Sequence, residues 1–188
     1  MDQEAVLDLF RKSGALLEGH FRLSSGLHSD RYLQSALVLQ YPEFAEAIGR
    51  ALAHRTLHLQ PTVVLSPAIG GIVIGQETGR ALGVRAIFAE RQDGVMTLRR
   101  GFSLTPSDRV LIVEDVITTG GSTRETAAVA EAIGAQVIGA AAIVDRGAAA
   151  NFTLPLQALV RLEVPTYAPE SCPMCARGDA IVKPGSRA

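Results

Sequence analysis

The sequence predicts an α/β protein in which a parallel sheet is flanked by helices. Short apolar runs without polar interruption alternate with segments whose apolar side chains have helical spacing. Strands that are apolar along their whole length are typical of parallel sheets covered on both faces. The chain has 188 residues, a length that fits one domain. We therefore expect a single domain over residues 1–188.

The elements follow in order along the chain. Residues 2–11 place apolar side chains at helical spacing, and a second helix should start near Pro42. From residue 61 onward strand and helix alternate. The expected strands are residues 63–65, 85–89, 110–113 and 137–144, and the expected helices are residues 70–82 and 122–133. Gly83 and Gly134 stand where these two helices should end.

Three peripheral regions depart from this alternation. Residues 1–40, called the hood below, combine a short helix with turn-rich extended pieces, and residues 41–165 form the expected core. Residues 90–106 contain the turn signal Asp93-Gly94 between two buried strands, which predicts an exposed hairpin, the lid. Residues 166–188, the tail, are rich in proline and are expected to be irregular.

Composition argues against several classes of protein. The 18 Lys and Arg residues and 19 Asp and Glu residues leave a formal net charge of −1, which does not suit a broad nucleic-acid surface. No apolar run approaches the ~20 residues of a membrane span, and the first residues are acidic where a signal peptide would be basic. We expect a cytoplasmic protein that binds neither nucleic acid nor membrane.

The most informative motif is the run VLIVEDVITTGGST at residues 110–123. A buried strand ends on two acids, Glu114 and Asp115, and residues 118–122 then lead into a helix. Backbone N–H groups, hydroxyls and a helix N-terminus suit a phosphate, while adjacent carboxylates accept hydrogen bonds from sugar hydroxyls. A plain strand-to-helix turn is the alternative, and the paired acids make it the weaker one. The motif predicts a phosphorylated-sugar site.

This run closely resembles the signature that binds 5-phosphoribosyl 1-diphosphate (PRPP) in the type I phosphoribosyltransferases. More narrowly, nearly the whole chain is similar to the orotate-specific members of that family. The supporting segments are FRLSSGLHSDRYLQ, SPAIGGIVIG, the arginines of the lid and Val144-Asp145-Arg146-Gly147. The resemblance implies a glycosyltransferase fold of this family with a small hood and an exposed lid. It also implies Mg²⁺-dependent transfer of phosphoribosyl from PRPP to orotate, giving orotidine 5′-phosphate and pyrophosphate in pyrimidine biosynthesis.

The same resemblance assigns roles to individual residues. The catalytic residues would be Asp115, Glu114 and Arg91, and Mg²⁺ would be held by the substrate rather than by direct protein ligands. The residues that would bind PRPP are Glu114, Asp115, Val116, Ile117, Thr118, Thr119, Gly120, Gly121, Ser122, Ile69, Gly70, Arg91, Arg99 and Arg100. Orotate would be bound by Thr118 and Arg146, with the guanidinium facing the carboxylate of the base.

Several alternatives stay open at the level of sequence. Arg146 can instead pair with Asp145, the lid arginines can form a solvated turn, and Gly70 can simply start a helix. The whole protein can act on a purine or on uracil, or serve as a nucleotide-sensing RNA-binding regulator. The family resemblance implies a homodimer in which the lid of one subunit completes the site of its neighbour.

Two departures from the family pattern bear on the choice of base. Ser24 stands where many orotate enzymes have a lysine, and the lid is shorter than is common. The lid also lacks the usual lysine and histidine and offers Gln92 and Met96 instead.

The two cysteines form a C-x-x-C pair, Cys172 and Cys175, in the tail. Zinc needs four ligands, so this pair suffices only if a partner subunit or distant histidines complete the set. A redox pair and an inert turn are the alternatives. His54 and His58 are four residues apart on one expected helix face, and we expect them on the surface.

Overall fold

We describe the protein from a computed structural model, over residues 1–23, 25–147, 153–162 and 164–183. The strands are β1 (Leu16–Arg22), β2 (His28–Leu33), β3 (Val63–Pro67), β4 (Arg85–Gln92), β5 (Val95–Leu98), β6 (Arg109–Ile117), β7 (Gln136–Asp145) and β8 (Leu156–Arg161). The α-helices are α1 (Gln3–Lys12), α2 (Ser35–Leu39), α3 (Pro42–Thr56), α4 (Gly71–Leu82), α5 (Gly121–Ala132) and α6 (Pro173–Arg177). Short 3₁₀ turns occupy Leu57–Leu59 and Pro169–Ser171.

A six-stranded sheet with the strand order β5-β4-β3-β6-β7-β8 forms the centre of the molecule. Every neighbouring pair is parallel except β4 and β5, which form an antiparallel hairpin. The turn of that hairpin is Asp93-Gly94, where both residues have positive φ, the conformation that tight hairpin turns require. The expected parallel sheet and exposed lid hairpin are confirmed.

The two faces of the sheet are covered by different helices because side chains alternate along each strand. Val64 and Leu111 face the cluster that contains residues of α1, α3 and α4, while Val63 and Ile112 face the cluster that contains residues of α5. The apolar runs of the central strands are therefore buried from both sides. This burial explains why residues 110–113 of β6 contain no polar residue before Glu114.

The strand order reverses direction between β3 and β6. From β3 the chain moves outward to β4 and β5, and it then returns to the other side of β3 to build β6, β7 and β8. In open parallel sheets, ligands bind outside the carboxyl ends of the strands at such a switch point. The loops after β3 and β6 meet there.

The hood and the tail pack together at one side of the sheet. β1 and β2 form a two-stranded antiparallel sheet, and the tail forms backbone bridges to each of them, between Phe21 and Val182 and between His28 and Tyr167. The tail has more regular structure than its prolines suggest, since Pro173 occupies the first position of α6, where proline is well tolerated. None of the helices in the described ranges combines the length and the apolar character of a membrane span.

Candidate active site

The loop between β6 and α5 presents a row of groups suited to an anion. Residues 118–122, called the phosphate loop below, contain Gly120 just before α5, and its φ of 74° is left-handed and favours glycine. The guanidinium of Arg124 donates a hydrogen bond to the carbonyl oxygen of Thr119 at 2.8 Å, which holds the loop against the first turn of α5. The first N–H groups of α5 have no partner within the helix, so they are available to a phosphate.

The loop after β3 approaches the acid pair closely. A Cβ atom added to Gly70 would lie 2.8 Å from Oδ1 of Asp115 and 3.0 Å from Oδ2. Only a residue without a side chain lets the backbone come this near to the carboxylate. Gly70 and Asp115 therefore form one contact at the switch point, and Ile69 beside them is 83% exposed.

Both acids have raised pKa values. Burial raises the pKa of Glu114 to about 8, and the neighbouring carboxylate of Asp115 adds to this effect. Burial also raises the pKa of Asp115, while the backbone N–H of Val116, which donates to Oδ1 at 2.8 Å, opposes the rise. Two carboxyl groups held out of water are poised to accept hydrogen bonds from a ligand that brings its own donors.

Two adjoining cavities open at this edge of the sheet. The smaller, about 270 Å³, lies over the phosphate loop and is also lined by Glu114 and Arg91. The larger, about 1000 Å³, is lined by Asp115 together with residues of the hood, the tail and the end of β7. Val116, Thr118 and Thr119 line both cavities, so a ligand can extend from one into the other.

Three cationic side chains line the larger cavity, namely Arg22, Arg146 and Lys183. The Nε atom of Arg146 is buried and has no hydrogen-bond partner among the described residues. Burial lowers the pKa of Arg146, an effect opposed by Tyr32, because a charge removed from water is costly without a partner. An anionic ligand would supply that partner.

The lid arginines are placed in two different ways. The Arg91 guanidinium lies 2.7 Å from Glu125 of α5 and donates to the carbonyl oxygen of Gly94 at 2.8 Å. Arg99 and Arg100 lie 3.6 Å and 2.7 Å from the carboxylate of Glu90. These two arginines line neither cavity, so the structure brings Arg91 to the site and leaves the other two outside it.

Sequence reasoning missed several residues of the larger cavity. Arg22 and Tyr32 belong to the segment that carried the family resemblance, yet their placement at the cavity depends on the pairing of β1 with β2. Lys183 comes from the tail, where no local pattern marks it. Ser24, the expected point of departure from the family, lies outside the described residues.

The cysteine pair lies away from these cavities. Cys172 and Cys175 meet His20 of β1 and His28 of β2, and the four potential ligand atoms all lie within 4.8 Å of one another. The sequence analysis allowed distant histidines as the remaining ligands of a zinc site, and the structure brings His20 and His28 to the two cysteines. His54 and His58, the pair on α3 and the following turn, are exposed.

Comparison with known proteins identifies the relatives of this chain. Residues 35–153, more than half of the chain, match the family described as Phosphoribosyl transferase domain. The chain is 53% identical to an orotate phosphoribosyltransferase of Pelotomaculum thermopropionicum, over all of this chain and 99% of that relative. It is 52% identical to an orotate phosphoribosyltransferase of Chlorobium phaeobacteroides, over all of this chain and 98% of that relative.

The fold is likewise similar to a solved structure. An orotate phosphoribosyltransferase of Mycobacterium tuberculosis, crystallised with Fe(III) dicitrate, superposes with a TM-score of 0.73 at 25% identity. The match covers 86% of this chain and 97% of that one.

Proposed function

The chain belongs to the orotate phosphoribosyltransferases, enzymes that join orotate to the phosphoribosyl group of PRPP, and from this premise we propose how its residues bind the two substrates. The single observation that carries the proposal is the buried Nε of Arg146 at the larger cavity, which has no hydrogen-bond partner in the part of the chain that the structure describes. The carboxylate of orotate is a planar anion that a guanidinium recognises well. Orotate therefore lies against Arg146 and Thr118.

PRPP occupies the region where the two cavities adjoin. Its 5′-phosphate lies on the phosphate loop, its ribose hydroxyls donate to Glu114 and Asp115, and its diphosphate approaches Ile69 and Gly70. The contact between Gly70 and Asp115 supports this placement, because it brings the loop after β3 beside the acids. The raised pKa values of both acids support it too, since hydroxyl donors would stabilise their ionised forms.

The reaction breaks the bond between C1 of the ribose and a diphosphate oxygen and forms a bond from C1 to a nitrogen of orotate. The diphosphate leaves with the electron pair, and the nitrogen loses its proton. Positive charge develops on the sugar ring in the transition state, next to the carboxylates of Glu114 and Asp115. The protein acts by positioning the substrates, stabilising charge and excluding water.

We also propose that Mg²⁺ accompanies PRPP. The oxygen donors of Glu114 and Asp115 suit a hard cation, and the described residues place no third acidic or histidine ligand beside them in a metal-binding group. This donor set fits an ion held mainly by substrate oxygens and water. When bound, Mg²⁺ supplies positive charge that stabilises the departing diphosphate.

The lid is proposed to act between subunits of a homodimer. Arg99 and Arg100 have side chains that are 44% and 61% exposed, and they line neither cavity of their own subunit. Because these ion pairs with Glu90 are exposed, their guanidinium groups can exchange Glu90 for the diphosphate in a neighbouring subunit. Arg91, which lines the smaller cavity, would act in its own subunit.

Mixing two inactive variants tests the shared lid. Arg99→Ala combined with Arg100→Ala in one chain, and Asp115→Asn in the other, should each have little activity alone. After co-refolding at equal amounts, roughly a quarter of the sites would combine an intact lid with an intact acid pair. Activity that stays at the sum of the separate variants would contradict lid exchange.

The proposed pairing of Arg146 with orotate is tested by offering the enzyme different bases. Spectrophotometric assays with PRPP and Mg²⁺ would contain orotate, uracil, hypoxanthine, guanine or adenine in turn. We expect turnover of orotate alone, because only orotate presents a carboxylate to Arg146. Comparable turnover of uracil, the same ring without the carboxylate, would show that this arginine does not select the base.

The cytoplasm is the proposed site of the reaction.

A further inference from the structure

We propose that His20, His28, Cys172 and Cys175, the His₂Cys₂ cluster, bind one structural Zn²⁺ that fastens the tail to the hood. The inference does not rest on the proposed roles in catalysis. The cluster lies in the contact between β1, β2 and the segment around α6, and no residue of the cluster lines the cavities of the candidate active site. Two imidazoles and two thiolates are one of the ligand sets that structural zinc sites use.

The distances between ligand atoms are close to those of tetrahedral zinc. Bonds of ~2.3 Å to sulfur and ~2.0–2.1 Å to nitrogen separate a sulfur from a nitrogen by about 3.5 Å in such a site. Nε2 of His20 lies 3.5 Å from Sγ of Cys172 and 3.7 Å from Sγ of Cys175, and Nδ1 of His28 lies 3.3 Å from Sγ of Cys175. The two nitrogens are 2.9 Å apart, and the four ligand atoms together lie within 4.8 Å of one another, so the side chains would shift as they close around the ion.

The surroundings prepare His20 as a ligand. Its Nδ1 lies 2.9 Å from the backbone carbonyl oxygen of Asp179, an acceptor, so the ring proton belongs on Nδ1 and the lone pair on Nε2 faces the cluster. This is the arrangement by which zinc-bound histidines are commonly oriented. His20 and His28 are each only 4% exposed, and Cys172 is 3% exposed. Three of the four ligand residues are thus buried and Cys175 is exposed, and burial of three such groups around one point favours an ion over solvated side chains.

A zinc ion at this point would link segments that are far apart in the chain. His20 and Cys172 are separated by 152 positions. Backbone hydrogen bonds already join them: the N–H of Val182 donates to the carbonyl oxygen of His20 at 2.8 Å, and the N–H of His28 donates to the carbonyl oxygen of Tyr167 at 2.8 Å. The tail contributes Lys183 to the larger cavity, so the ion would also hold one wall of that cavity.

Metal analysis tests the proposal directly. Protein purified without a histidine tag should contain one zinc per chain, measured by inductively coupled plasma mass spectrometry. Cys175→Ser should lose it, while the matched control His58→Gln, which changes an exposed histidine outside the cluster, should retain it. The proposal would be overturned if the wild-type protein contained no more zinc than Cys175→Ser and also failed to take up added Zn²⁺. Isolation of a chain lighter by two hydrogens, which would show a disulfide between Cys172 and Cys175, would also overturn it.

A second set of measurements on the wild-type protein covers the case in which Cys175→Ser fails to fold. Replacement of the metal with Co²⁺ should give the visible absorption of tetrahedral cobalt with thiolate ligands. Removal of the metal with a chelator should lower the Tm by roughly 5–10 °C and speed cleavage by trypsin after Arg177 in α6. An octahedral cobalt spectrum, or a Tm and cleavage rate that do not change on chelation, would contradict a structural zinc.

Discussion

The phosphate loop with its acid pair and the His₂Cys₂ cluster gather polar groups around a point in opposite ways. The first takes its groups from residues 114–122, one strand end and the turn that follows it. The second joins two hood strands to the tail across 152 positions. A strand, turn and helix determine local geometry by themselves, whereas the cluster exists only once the hood and tail have packed. A functional group can therefore be predicted from sequence when its partners lie within a few residues, whatever its chemical importance.

Asp115→Asn should have the largest effect and tests the local site. The amide keeps the shape of the side chain but loses the negative charge beside the ribose, so we expect kcat/KM for PRPP to fall at least about 100-fold. The Tm should stay near that of the wild type because no cavity opens. Steady-state kinetics and thermal unfolding measure both quantities. Asp8→Asn on the exposed face of α1 is the control, and unchanged activity of the Asp115 variant would remove the acid pair from the mechanism.

Most of the fold could be predicted because its signals are local. The uninterrupted apolar strands, Asp93-Gly94 at the hairpin turn and Gly83 at the end of α4 each act within a few residues. The phosphate loop and the acid pair are also local signals, because their residues are close together in the chain. The helix in the tail could not be predicted, because α6 has only five residues. Its first residue, Pro173, is equally typical of an irregular segment that contains no helix.

The parts of the site that sequence could not place depend on tertiary packing. Arg22 reaches the larger cavity through the pairing of β1 with β2, and Lys183 reaches it because the tail pairs with β1, where the N–H of Arg22 donates to the carbonyl oxygen of Val182. The separation of Arg91 from Arg99 is also a matter of packing: Arg91 pairs with Glu125 of α5, and Arg99 turns toward Glu90. No spacing rule in the sequence distinguishes these arginines.

Arg146→Ala tests the part of the site that depends on packing, because Arg146 follows β7 and completes a cavity assembled from several segments. Loss of a hydrogen bond to a charged group costs ~1.5–3 kcal/mol, so we expect the KM for orotate to rise roughly 30-fold with little change in the KM for PRPP. Arg161→Ala, at the end of the neighbouring strand β8, is the control. Equal losses for both substrates would make Arg146 a residue that supports the fold rather than one that binds the base.

Gly70→Ala tests the one contact that joins the loop after β3 to the local motif. The added Cβ would lie 2.8 Å from Oδ1 of Asp115 and push the carboxylate away from the ribose. We expect PRPP binding, measured by calorimetry, to weaken about tenfold, since the cost of a displaced partner is ~1–2 kcal/mol. In an Asp115→Ala background the same substitution should change little, because the group it displaces is gone. Equal effects in both backgrounds would place the clash elsewhere.

The ionisation of Glu114 gives the smallest predicted effect, and it is measured as a change in stability with pH. Its folded pKa of about 8 lies above the ordinary value of 4.5, so between these values the folded protein keeps a proton that the unfolded chain has lost. The free energy of unfolding therefore falls as pH rises through this window. Urea unfolding should show that the wild type loses about 1 kcal/mol more than Glu114→Gln between pH 6.5 and 7.5, because glutamine cannot titrate. Equal losses would mean that Glu114 is already ionised in the folded protein, and PRPP would then meet two full negative charges at the ribose instead of inducing one of them.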